Sequence, residues 1–95
     1  MTEIKMVDLV GTFAENKDKA RSLRINTIIP ALNKNQDVIL DFDGVDGTTQ
    51  SFIHALISDI IRKKGINVLD KLFFKNCNST VKQIIQIVVE YMQVR

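Results

Sequence analysis

The sequence predicts an α/β fold, a small, mostly parallel sheet with three packed helices in the order β-α-β-α-β-α. Three observations predict it. Val38 to Phe42 is a short run with apolar residues on both faces at once, the pattern of a central parallel strand. Phe52, Ile53, Leu56, Ile57, Ile60 and Ile61 make a helical stripe between the turn at Asp46-Gly47 and Gly65. Strand-like and helix-like segments alternate along the chain, which implies right-handed crossovers with helices packed on the sheet. Ninety-five residues make a single domain, residues 1–95, that buries roughly two-thirds of its unfolded surface.

The elements follow in order. Ile4 to Val10 alternates imperfectly and stops at Gly11, as a strand would. From about Glu15 to Asn33, Ala20, Leu23, Thr27, Ile28, Ala31 and Leu32 recur at helical spacing. Pro30 has no N–H to donate four residues back, so this helix should end near Ile29 or kink there. Asn33 to Gln36 is a loop, and Val38 to Phe42 is the second strand. The second helix starts after Asp46-Gly47, with Thr48 or Thr49 as N-cap and Gly65 as C-cap. Leu69 to Lys75 reads as a third strand with Leu72, Phe73 and Phe74 as its core. Asn76 to Ser79 is a turn, and Ser79 caps a last helix over about Thr80 to Gln93. That helix is rich in Val and Ile, yet Lys82, Gln83, Gln86, Glu90 and Gln93 fall on one side, so the period decides for helix over strand.

Composition narrows the function classes. With 45% hydrophobic and 25% charged residues the chain is an ordinary globular protein. No apolar run reaches the roughly 18 residues of a membrane span and no signal peptide is recognised, so cytoplasm is the default address. A net charge of +2 is too small to argue for nucleic acid. Basic residues gather at Lys17, Lys19, Arg21 and Arg24, and again at Arg62, Lys63 and Lys64, where they complement a helix C-terminus. A nucleic-acid adaptor using Lys17 to Arg24 is the weaker alternative. The single cysteine, Cys77, forms no internal disulfide and has no zinc-ligand spacing. It reads as a small buried filler, or as a reactive thiol if a helix N-terminus lowers its pKa. No cofactor and no metal are implied.

Ligands and partners of parallel sheets meet the loops at the carboxyl ends of the strands. One such loop, Asp41-Phe42-Asp43-Gly44, matches the tetrapeptide that opens haloacid-dehalogenase-type phosphatases, where one Asp attacks phosphorus and the next protonates the leaving group. That chemistry needs a constellation: a magnesium ion held by further acids, and a lysine near the nucleophile. After Asp46 the acids are Asp59, Asp70 and Glu90, two on helices and one near a strand start. A metal-dependent phosphatase using Asp41 and Asp43 is therefore the alternative, and a non-enzyme the main reading. Asp43-Gly44 and Asp46-Gly47 are turn dipeptides, and Asp41 can satisfy loop amides or cap a neighbouring helix. Asn76 to Ser79 should lie beside this loop if the two strands are neighbours.

The stretches VILDFDGVDGTTQSFIHALISDIIRKKG and LFFKNCNSTVKQIIQIVVEYM together resemble the STAS-like domains, small relatives of the anti-sigma-factor antagonists. The resemblance runs from about Val38 to Met92. It is carried by the strand ending Leu-Asp-Phe, the Thr-Gln-Ser-Phe helix start and the Phe-Lys-Asn-Cys-Asn turn. It implies a STAS-like sandwich and a regulatory protein-interaction module in signal transduction. In the antagonists, a serine in an Asp-Ser-Ser-Gly-Leu motif at a helix start is phosphorylated by a partner kinase of the histidine-kinase-like ATPase class, which doubles as the anti-sigma factor. Ser51 falls where that serine would be. Thr49 stands in place of the preceding Asp and Phe52 in place of the following Gly, departures that bear on phosphorylation more than on docking. The antagonists' N-terminal hairpin is shortened here to one strand.

Position gives the same region a physical reading. With Thr48 as the cap, Ser51 lies in the first turn, where free amides and the positive helix end favour a phosphate. Ser51, Thr49 and Thr48 are the phospho-acceptor candidates. Ser51 points away from the apolar stripe, and Ala55 and Ser58 continue its line as a ridge of small residues. Such a ridge admits a partner's backbone, or is simply a solvated face. The expected docking residues are Asp43, Asp46, Gln50, Ser51, His54, Ala55, Ser58, Asn76 and Asn78; His54 alone reads as an ordinary surface residue. On the last helix, apolar residues cover more than half the wheel. The surplus around Ile87 and Tyr91 should pack against the first helix, or else meet another chain as a homodimer.

Overall fold

The computed structural model describes residues 1–93. Three short parallel strands form the main sheet: β1 (Thr2–Lys5), β3 (Val38–Asp41) and β5 (Leu72–Lys75), in the spatial order β1-β3-β5. Their registers end together, with Lys5 opposite Asp41 and Asp41 opposite Lys75. Two-residue strands β2 (Phe13–Ala14) and β4 (Gly47–Thr48) make a second parallel pair. The helices are α1 (Met6–Val10), α2 (Lys17–Leu23), α3 (Ile29–Asn33), α4 (Gln50–Lys64) and α5 (Ser79–Gln93). A π-helical turn over Arg24–Ile28 joins α2 to α3, and a 3₁₀ turn over Ile66–Asp70 leads into β5.

The sheet advances in one direction, so right-handed crossovers stack the helices on one face. Ile4, Val38, Leu40 and Leu72 point to that face and are buried under Phe52, Ile53, Leu56, Ile57 and Ile60 of α4. The opposite face carries Glu3, Lys5, Phe73 and Lys75, and Lys75 pairs with Glu3 at 3.3 Å across the central strand. Ile39 on that face is half-buried. β3 is thus apolar on both faces, as expected, but covered by helices on one. Phe73, expected in the core, is 44% exposed there.

The N-terminal segment differs from expectation. Strand β1 stops at Lys5, where β3 stops, and Met6 to Val10 turn into a helix. Met6, Val7 and Val10 then share one side; Met6 is fully buried and Val7 lies against Gly44. The imperfect alternation was a helical period of one turn. The first long helix starts on Asn16, whose side chain accepts from the Asp18 and Lys19 amides. Of the two outcomes expected at Pro30, an end near Ile29 or a kink, it does not end but runs on to Asn33 through a distorted turn. The π turn absorbs the proline: the Ile29 amide reaches back five residues to the Arg24 carbonyl.

β5 begins at Leu72, three residues later than expected, because Ile66–Asp70 wind as 3₁₀ helix. Asn78, and not Ser79, caps α5, its Oδ1 accepting from the Val81 amide at 2.8 Å. Among the described residues, no helix is long and apolar enough to cross a membrane.

Candidate functional site

The loop after β3 is built from its own carboxylate outward. Asp41 Oδ1 accepts from the Asp43 amide at 3.0 Å and from Asn76 Nδ2 at 3.0 Å. Val45 N–H donates to the Phe42 carbonyl at 3.0 Å, closing a turn that needs a positive φ at Gly44, here +87°. The next anchor is Asp46, whose amide donates to the Thr12 carbonyl at 2.7 Å and whose own carbonyl accepts from Asn78 Nδ2 at 2.8 Å. The turn after β5 therefore does lie against the loop after β3. This arrangement commits the side-chain amides of Asn76 and Asn78 to bonds within the molecule, although both residues, like Asp43 and Asp46, are exposed.

These bonds hold the Asp41 carboxyl below the usual carboxylate range. The Asp43 amide contributes most and Asn76 next, with Lys75 and Lys5 adding positive charge and burial opposing. A depressed folded-state pKa means stability that is present above the ordinary value, near 4, and lost as pH falls through the lower folded one. Urea midpoints measured from pH 6 down to pH 2 are therefore expected to decline below about pH 4. Asp41→Asn should flatten that decline without adding any slope between pH 5 and 8. Cys77 behaves oppositely. It is half-buried, and desolvation pushes its thiol above the ordinary value, which disfavours the reactive thiolate.

The start of α4 is pinned by β2. Thr48 is buried, and its hydroxyl donates to the Ala14 carbonyl at 2.9 Å. The Thr49 amide bonds the same carbonyl, and Thr49 Oγ1 accepts from the Phe52 amide at 3.0 Å as the N-cap. Of the three hydroxyls singled out in the sequence, Thr48 and Thr49 are thus occupied in building the helix start. Ser51, in the first turn, is exposed, as is Gln50.

From Ser51 the outward line of α4 forms the floor of a groove of about 620 Å³, lined from α2, α4 and α5. Ser51, Ala55 and Ser58 make the floor, with Gln50 and His54 beside them. Ser58 corrects the sequence expectation: at 3% exposure it is not an outward ridge residue, because the flanking helices close over that turn. Ala55 is half-buried. One wall is cationic: Lys17, Arg21 and Arg24, from the first helix, with Arg62 at the far end of α4. Arg24 crosses onto the floor, donating to the Ala55 carbonyl at 2.6 Å and pairing with Asp59 at 3.4 Å. Asp59 also holds Arg62 at 2.6 Å. The other wall is Ile87, Val88 and Tyr91 of α5. Ile87 is 43% and Tyr91 69% exposed, so the apolar surplus of the last helix does not pack on the first helix, contrary to expectation. The Tyr91 ring sits 6.4 Å from that of His54, whose Nδ1 is 3.4 Å from the Ser58 hydroxyl.

The docking residues expected from sequence thus divide into two groups. Gln50, Ser51, His54, Ala55 and Ser58 line one groove, whereas Asp43, Asp46, Asn76 and Asn78 belong to the knot at the strand ends. Sequence reading missed the groove's two walls as parts of one site. Lys17, Arg21 and Arg24 showed as a basic cluster and Ile87 and Tyr91 as surplus apolar residues, but nothing in the spacing said that they face each other. Among the described residues, no three His, Cys, Asp or Glu side chains gather as a metal site.

A small parallel sheet with the helices stacked on one face and a capped helix springing from the loop after the central strand make up an α/β architecture of the STAS-like kind. Residues 19–82 match the family described as a STAS-like domain of unknown function, and the chain belongs to that family. The match begins upstream of the stretch whose resemblance was legible and takes in most of the first long helix. No curated protein and no solved structure matches the chain.

Proposed function

We propose that this domain is a non-enzymatic regulatory module that docks a protein partner through the Asp43–His54 loop and helix start, with Ser51 as a phosphorylation switch. The observation that carries the reading is the position of Ser51, exposed in the first turn of a fifteen-residue helix whose start is clamped by Thr48 and Thr49. A phosphate there gains from the positive helix end and from the cationic wall beside it. The docking surface is prebuilt, since the loop is fastened at Asp41, Asp46 and Asn78 while Asp43 and Asp46 are exposed toward a partner. The engagement of Asp41 Oδ1 in two hydrogen bonds favours a structural carboxylate over an aspartyl nucleophile. The partner class that family resemblance favours is a histidine-kinase-like ATPase, and the setting is cytoplasmic signal transduction.

The test is capture of such an ATPase by the wild-type domain, Ser51→Ala and Ser51→Asp, together with phosphate transfer from ATP. Wild type and Ser51→Ala are expected to capture it, and Ser51→Asp to lose at least about tenfold in affinity, on the scale of a like-charge insertion. Equal capture by all three removes the switch. Loss of all capture removes docking.

A further inference from the structure

We infer that the groove between α2, α4 and α5 receives a single amphipathic helix of a partner, acidic along one side and aliphatic along the other. The inference rests on the docking reading of α4 and names the chemistry of what docks. Three independent features of the groove converge on it. Its floor follows α4 from the exposed Ser51 past Ala55, where the Arg24 side chain crosses, to the buried Ser58, so an occupant lies over this floor and between the walls. The groove runs from Gln50 to Arg62, about 18 Å at 1.5 Å per residue, the length of roughly three helical turns. An open trough of that length beside a helix suits an inserted helix better than a compact small molecule.

The walls set the chemistry of the occupant. Lys17, Arg21 and Arg24 recur every three or four residues, so they present one cationic line. Among the described residues that line the groove, Asp59 is the one carboxylate, and it is already shared by Arg24 and Arg62. Among the described residues Arg21 has only the solvent-exposed Asp18, at 3.4 Å. Positive charge is therefore in excess, and an acidic edge on the occupant balances it. The facing wall exposes Ile87 and Tyr91, which the fold itself leaves uncovered, and an aromatic–aliphatic pair of this kind is what an aliphatic helix edge buries. A nucleic acid would satisfy the first wall and leave the second bare. A second copy of this chain would need an acidic helix edge, and its three long helices carry one acid each, Asp18 in the first, Asp59 in α4 and Glu90 in α5. Phosphate on Ser51 would place negative charge at one end of the trough and compete with the occupant's acids, linking the switch to this surface.

The experiment is a display selection of about 18-residue helical peptides, long enough to hold a helix, against the folded domain. Binding is then mapped by amide chemical shifts and measured by fluorescence anisotropy. Enriched peptides are expected to carry Glu or Asp at i, i+4 spacing beside a Leu or Ile stripe, and to shift Ser51, Ala55, Ser58 and Tyr91. Exchanging their acids for Gln, or introducing Arg21→Glu or Tyr91→Ala, should weaken binding about tenfold or more. These side chains are exposed, so both variants keep the fold, whereas Arg24 is left intact because it ties the π turn after α2 to α4. Ser51→Asp should weaken the same peptides. Enrichment of nothing, or of peptides without acids, overturns the inference, and so do shifts mapping elsewhere. Tighter binding of single-stranded DNA than of the peptides would overturn it in favour of nucleic acid, and a concentration-dependent dimer abolished by Tyr91→Ala in favour of self-association. If Arg21→Glu and Tyr91→Ala leave ATPase capture intact, the groove inference fails while docking at the loop stands. If the peptides bind but the ATPase is not captured, the fault lies in the partner assignment.

Discussion

Phe52→Ala is expected to destabilise the domain by about 3–5 kcal/mol, the largest effect of any single substitution considered. Phe52 is fully buried in the first turn of α4, immediately after Ser51, so its ring anchors the helix start on the sheet. Truncation removes the transfer free energy of the ring and leaves a cavity that the short strands beneath can fill only in part. Small domains have roughly 5–15 kcal/mol to lose, so a substantial part of the stability goes with one side chain. Urea unfolding should show a lower midpoint at unchanged slope. Phe73→Ala is the internal comparison, because Phe73 sits on the open face of the sheet and should cost under about 1 kcal/mol. Equal losses from the two would mean that the sheet buries its second face in solution, against the arrangement described above.

Gly44→Ala is expected to cost about 1–3 kcal/mol, with the loss concentrated at the loop. At φ +87° an L residue is strained, and an added Cβ would stand 3.3 Å from Val7 Cγ2. The first contribution belongs to the turn and the second to the contact between the turn and α1, and a double-mutant cycle separates them. Val7→Ala combined with Gly44→Ala should destabilise by less than the sum of the two single changes. Strict additivity would show that α1 does not press on the loop. Because Asp43 and Asp46 flank this turn, Gly44→Ala should also loosen partner capture through the loop before it unfolds the domain.

Much of the architecture was legible because it depends on local chemistry. The α4 stripe, its cap at one of two threonines, the stop at Gly65 and the turn at Asp43-Gly44 are statements about neighbouring residues, and the structure contains them. Asp46-Gly47, expected as a second turn, is instead extended, because Gly47 pairs with Phe13 as the first residue of β4. The exposure of Ser51 followed from the same wheel that buried Phe52. Where reading failed, a distant partner had decided. Ile4 to Val10 could run as strand or helix on its own pattern, and the length of β3 settled it at Lys5. The pattern at Pro30 allowed an end or a kink, and packing on both sides carried the helix through by a π turn. Ser58 was placed on the outer face correctly by period but wrongly by burial, since helices on either side close over it.

What the sequence determined by itself is therefore the α/β order, the family, and a clamped helix start with one free hydroxyl, because caps, turns and hydrophobic periods act over four or five residues. The tertiary structure alone decided that the basic residues of the first helix and the bare apolar residues of the last stand across one trough from each other. That juxtaposition spans some seventy positions of chain. It arises from crossover handedness and helix packing, which no local spacing encodes.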